Sequence, residues 1–301
     1  MKIGVTLPQA YMAGAIPRYR EIRNAALKAE ADGFDSLWVM DHLLFRRDDE
    51  PPAGVWEAMT LLAAVAEATE RVELGALVLC TAFRNPALLA KMISALDEVS
   101  DGRVILGVGA GWHEPEFEAF GYPFDHLASR FEEAMAILLP LLREGKVDFV
   151  GKYERAPDCL NVPRGPRLAG PPLLMGTQGP RLIRLAAREA DAWNACWLGR
   201  ASDLPDRLAP FHAACADVGR DLDSIEVTVG ALATFREVAD QVVYPGGPER
   251  FTYEDPEDLA NEWRKYEEMG VKHLMVWFLP EGERTANLLA EALRLYRGSG
   301  S

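Results

Sequence analysis

Eight short apolar runs alternate with eight amphipathic segments along the chain, and few folds accept that rhythm. The runs are Lys2–Leu7, Ser36–Met40, Val72–Leu79, Val104–Val108, Leu173–Met175, Ala192–Ala195, Glu226–Ala231 and His273–Phe278. Val104 to Val108 is nearly continuous apolar sequence, as in a strand buried on both faces. The segments between the runs show helical spacing instead. Ile22, Ala25, Ala26 and Ala29 share one face of a helix near Arg20–Asp32, and Gly33 is placed to end it. Leu88, Leu89, Met92, Ile93 and Leu96 form another such stripe, and Phe131, Ala134, Met135, Leu138, Leu139 and Leu142 a third. The alternation predicts an α/β chain folded as a (β/α)8 barrel, with residues 1–301 as a single domain. A doubly wound sheet is the alternative, but its dinucleotide fingerprint fails, because Trp112 stands where the third glycine after Gly107 and Gly109 belongs.

Two stretches break the rhythm. Residues 145–172 are rich in Gly, Pro and Arg, with one short hairpin expected near Val147–Tyr153, and residues 235–255 are irregular. The first is too long for an ordinary connection and is expected to cover something. Charge narrows the partners: 32 Lys and Arg against 46 Asp and Glu leave −14, which opposes a nucleic-acid surface. An anionic cofactor is compatible with that charge, since backbone N–H groups can hold it. No apolar run is long enough to cross a bilayer, and Met1 leads straight into a strand with no signal-peptide core before it. The four cysteines (80, 159, 196 and 215) lack CxxC spacing, so reduced thiols in a cytoplasmic protein are expected, with no metal site.

Barrels of this kind place chemistry at the C-terminal ends of the strands. His42 follows the second strand, where an imidazole can move protons near neutral pH, and Asp41 beside it can orient the ring or cap the turn. Gly107, Gly109 and Gly111 leave the end of the fourth strand with little side-chain cover, which suits close approach of a flat ligand and equally suits tight packing. Gly176-Thr177-Gln178-Gly179-Pro180-Arg181 links a strand to a helix, and its glycines and helix N-terminus suit a phosphate or form a plain turn. Trp112, His113, Trp193 and Trp197 are candidates to line a pocket for a planar ring, or to serve as packing.

Taken together, these stretches resemble the bacterial luciferase-like family of flavin- and deazaflavin-dependent oxidoreductases. The matching features include Ser36–His42, Leu74–Leu79, Arg84-Asn85-Pro86, Ser100–Trp112, Glu116–Gly121 and Pro172–Asn194, in family order over most of the chain. The resemblance implies a barrel with the ring of the deazaflavin coenzyme F-420, or alternatively FMN, at the C-terminal mouth. It implies His42 beside the ring with Asp41 in support, and a non-prolyl cis peptide at Leu77-Val78 behind the ring. Ala110, Gly111 and His113 match the contact region of the fourth strand, and Gly176, Thr177 and Gly179 match the phosphate loop. Residues 145–172 and 235–255 would then cover a small-molecule substrate, and relatives are often homodimers. Glucose-6-phosphate dehydrogenases of the family carry a glutamate where this chain has Ala110, so an acid role falls to Glu57 or Glu114 and that sugar phosphate is disfavoured. Three functions are implied: hydride transfer with coenzyme F-420, monooxygenation with reduced FMN and oxygen, or non-catalytic binding of a flavin or deazaflavin.

Overall fold

A computed structural model describes residues 1–10, 15–46, 51–242, 244 and 247–298, and in it the eight apolar runs form eight parallel strands. They are β1 (Lys2–Thr6), β2 (Ser36–Val39), β3 (Glu73–Ala76), β4 (Val104–Gly109), β5 (Leu173–Met175), β6 (Ala192–Leu198), β7 (Glu226–Phe235) and β8 (His273–Phe278). Each pairs with the next, and β8 returns to β1 in the register Lys2↔His273 to Val5↔Val276, which closes the barrel. Around it lie α1 (Tyr19–Asp32), α2 (Ala58–Ala68), α3 (Pro86–Val99), α4 (Glu114–Phe120) and α5 (Leu127–Arg143). The ring continues with α6 (Pro180–Glu189), α7 (Leu204–Val218), α8 (Pro256–Glu268) and α9 (Glu283–Arg297). The (β/α)8 barrel is therefore the observed fold. Among the described residues no helix is long and apolar enough to cross a membrane.

Strand periodicity sorts the side chains into two cores. In β8, Leu274, Val276 and Phe278 pack outward with the helices, whereas Met275 joins Trp38, Leu77 and Leu174 inside the barrel. Beneath that inner cluster Trp38 Nε1 donates to Ser36 Oγ at 2.7 Å, which bonds His273 Nε2 at 2.7 Å. Burial lowers the His273 pKa to about 3, so this inner imidazole is neutral and structural. The helix starts follow local chemistry. Asn85 accepts N–H bonds from Ala87 and Leu88 at 3.0 and 3.1 Å while Pro86 opens α3, an arrangement that stabilises a helix by about 1 kcal/mol.

The two irregular segments separate. Residues 145–172 hold an antiparallel hairpin, Lys146–Val150 with Arg155–Leu160, and do not cover the mouth as the sequence led us to expect. Asn161 Nδ2 donates to Ser94 Oγ (2.8 Å) and to the carbonyl of Leu141 (3.2 Å). Arg167 Nη2 donates to the carbonyl of Val104 at 2.6 Å, and the Arg167 guanidinium pairs with the buried Asp97. Val104 begins its strand, while Ser94, Asp97 and Leu141 lie in the later halves of α3 and α5, so these contacts mark the N-terminal underside of the barrel. The second segment lies at the other end. There β7 runs beyond Ala231 to Phe235 because Thr234 and Phe235 pair with Thr252 and Tyr253. Val242, Tyr244 and Phe251 then pack on Leu232, Trp197 and Trp277.

Candidate active site

The C-terminal ends of β2, β3 and β4 converge on His42. Its Nδ1 lies 2.8 Å from Glu116 Oε1, and Glu116 Oε2 accepts the Leu43 N–H at 2.8 Å. The Glu116 side chain is only 2 % exposed, so its carboxylate spends its acceptor capacity on these two donors. An ionised Glu116 requires the proton on Nδ1, which leaves Nε2 as the acid–base atom. Among the described residues Nε2 has no hydrogen-bond partner. The imidazole also lies against Phe45 (4.4 Å between centroids) and Trp112 (5.6 Å). His113 completes this aromatic group, and its Nε2 accepts the Arg46 N–H at 3.2 Å.

Asp41 does not support His42. Its carboxylate takes both Arg84 Nη1 (2.7 Å) and Nη2 (2.9 Å), and also the Cys80 N–H at 2.8 Å. The reason is geometric: the side chains of successive residues point apart, so Asp41 turns to the β3 side while His42 turns to α4. Glu57 is not a free acid either. It caps α2 through the N–H groups of Met59 and Thr60 and contacts Arg84 Nη2 at 2.5 Å. Burial opposes its ionisation, but the bonds from Thr60 and Arg84 prevail and hold its pKa at about 2. Glu114 is exposed in the first turn of α4. Glu116, which no sequence signal marks as a partner for His42, takes the orienting role. Cys80 is no nucleophile, since burial and the Asp41 carboxylate push its thiol to about 12.

The Leu77-Val78 peptide is cis, as the resemblance implied, and Leu79–Cys80 resumes pairing with Val108–Gly109 beyond it. Val78 sits in a seat of glycines. A Cβ on Gly109 would lie 2.6 Å from Val78 Cγ2, and one on Gly176 would lie 2.9 Å from Val78 Cγ1. Ala110 and Gly111 continue from this seat, half-buried, and Gly111 has φ +85°. Beside it, the Thr177 carbonyl accepts the Trp193 indole N–H at 3.3 Å, while among the described residues the buried Thr177 Oγ1 has no partner. Gly179 opens α6 without a side-chain cap. Thr177 and Gly179 also line a cavity of about 470 Å³ between α6 and α7, with Arg184 and Arg207 on its walls. Trp193 stacks on Phe211 at 4.5 Å, on the outward face of β6, and also lines this α6–α7 cavity. Trp197 lies at the mouth, between the inner cluster with Val78 and the Trp277–Tyr244 group.

The family described as luciferase-like monooxygenase matches residues 1–269. A relative in Nocardia farcinica, an F-420-dependent glucose-6-phosphate dehydrogenase, is 35 % identical over 217 residues, covering 69 % of this chain and 62 % of its own. The match thus spans about three-fifths of the curated relative's length. Among solved structures, an F-420-dependent secondary alcohol dehydrogenase with an F-420–acetone adduct superposes with TM-score 0.80 over 99 % of both chains, at 21 % identity. A riboflavin lyase with modified FMN and riboflavin gives TM-score 0.79 at 15 % identity, over 99 % of this chain and 91 % of that one. At such identities the structural likeness concerns the fold, whereas the family match covers most of the sequence. The chain belongs to the luciferase-like monooxygenase family.

Proposed function

We propose that the protein is an oxidoreductase that passes hydride between coenzyme F-420 and a small organic substrate. The observation that carries this reading is the side-chain-poor seat around Val78, on strand ends adjoining the one that bears His42. Gly109 and Gly176 let Val78 pack down onto the strand ends, since a Cβ on either would meet its methyls, and a planar ring fits against the low apolar surface this leaves. The unpartnered Thr177 Oγ1, beside the uncapped start of α6, suits an anionic group such as a phosphate. Relatives named as F-420-dependent dehydrogenases favour the deazaflavin over FMN. When bound, a deazaflavin supplies a two-electron hydride couple with little reactivity toward oxygen. The chain's own part is position and protons. Glu116 fixes the His42 ring, Nε2 holds or accepts a proton at the mouth, and Asp41 with Arg84 ties down the backbone after Val78. Glucose 6-phosphate is not proposed as the substrate, because Ala110 carries no ionisable group where those dehydrogenases have a glutamate.

A second reading is monooxygenation with reduced FMN, favoured by the packing of Val242, Tyr244 and Phe251 against Trp197 and Trp277, since cover at the mouth shields a reduced flavin from water. Titration of the apo protein with F-420 and with FMN, followed by fluorescence quenching, separates the two. F-420 is expected to bind at least about tenfold tighter; the reverse preference overturns the hydride-transfer reading. His42→Ala is expected to bind F-420 normally and to slow hydride transfer about 100-fold. Such a loss also excludes a purely non-catalytic carrier.

A further inference from the structure

A second ionisable group, Glu281, follows β8 at the C-terminal end of the barrel. In β8 the inward positions are His273, Met275 and Trp277, because His273 bonds Ser36 and Met275 lies in the inner cluster. Trp277 is therefore the top of the inward column, and its Nε1–H donates to Glu281 Oε1 at 3.1 Å. That bond holds the Glu281 carboxyl against Trp277, whose ring meets Trp197 and Tyr244, at the C-terminal end of the barrel two strands round from His42. Among the described residues no Lys or Arg pairs with it. Arg284 of α9 is engaged by Glu237 of the 236–241 turn at 2.5 Å. Arg250 lies over the Tyr244 ring and donates to the Trp197 carbonyl at 3.4 Å. Glu283, in the first turn of α9, is exposed. Burial pushes the Glu281 pKa up to about 7, against the opposing Trp277 bond. A carboxyl that keeps its proton near neutrality is a hydrogen-bond donor, which a paired carboxylate is not.

Resting on the hydride-transfer reading above, we propose that Glu281 is the substrate-side proton donor and that the substrate is a carbonyl compound or the matching alcohol. In reduction, hydride from the reduced deazaflavin forms the C–H bond, the carbonyl π pair moves to oxygen, and that oxygen takes the Glu281 proton. The products would be an alcohol, an oxidised deazaflavin whose ring N–H proton has gone to solvent, and a Glu281 carboxylate that solvent reprotonates; oxidation of the alcohol runs the same steps in reverse.

Infrared difference spectra of the apo protein, wild type minus Glu281→Gln, test the proton itself. A protonated-carboxyl band lost with a midpoint near pH 7 is expected; a midpoint in the ordinary carboxylate range overturns the proposal. Single-turnover oxidation of bound reduced F-420 is then followed with acetone, cyclohexanone and benzaldehyde as probes. Glu281→Gln is expected to bind F-420 within about twofold of wild type, to transfer hydride about 100-fold more slowly and to lose the pH limb near 7. Glu281→Asp is expected to restore a displaced limb. An unchanged pH profile in Glu281→Gln, or wild type that binds F-420 yet reduces none of the probes, overturns the role of Glu281 alone. Failure of wild type and variant alike to bind F-420 overturns the cofactor reading, and this role with it.

Discussion

At the scale of single residues, the site depends on which carboxylate meets which cation. Glu116 and Asp41 are both buried, yet only Glu116 touches the imidazole, and Asp41 is committed to Arg84. Glu116→Gln keeps the shape of the side chain but removes the charge that favours the Nδ1–H tautomer. The expected result is hydride transfer slowed about 10- to 100-fold with F-420 affinity within about threefold of wild type. Stopped-flow transfer rates alongside quenching titrations check this, and an equal loss of affinity would assign Glu116 to binding instead. His42 itself was legible because it follows an apolar run at a strand end. Glu116 was not, since nothing in its local sequence says that α4 turns back to His42. Arg84 stood out near a strand end, but its pairing with Asp41, 43 residues away, did not, and Glu281 was hidden because a partner 4 residues away marks no site.

At the scale of elements, α4 is the piece that periodicity missed. Seven residues hold too few turns for an apolar stripe, although Pro115 near its start and Gly121 at φ +76° after its end are start and stop signals. The segment 145–172 shows the opposite error. Its length marked it as a cover, but its arginines fasten it to the underside. Arg167 is the strongest of these ties, because Asp97 is almost wholly buried. Arg167→Ala leaves that carboxylate unpaired and is expected to destabilise the fold by about 3 kcal/mol while leaving F-420 affinity unchanged. Urea denaturation and quenching titration together test this; a loss of affinity would return the segment to the mouth.

At the scale of the whole molecule, a net charge of −14 works against an anionic cofactor at long range while local N–H groups receive it. Raising ionic strength from about 0.01 to about 0.15 M is therefore expected to speed F-420 association a few-fold, as screening weakens the repulsion. Stopped-flow quenching measures it, and a rate that falls with salt would point to a local positive field that overrides the net charge. The sequence alone determined the barrel, because eight alternations of strand and helix period leave few ways to bury every apolar face. It also determined which strand ends carry polar and glycine-rich chemistry, since both are local properties of a run and of the few residues next to it. Only the tertiary structure decided which carboxylate orients His42, which end of the barrel each irregular segment occupies, and where Glu281 lies. Those depend on contacts between residues far apart in the chain or on the direction a side chain takes, and neither leaves a periodic trace in one sequence.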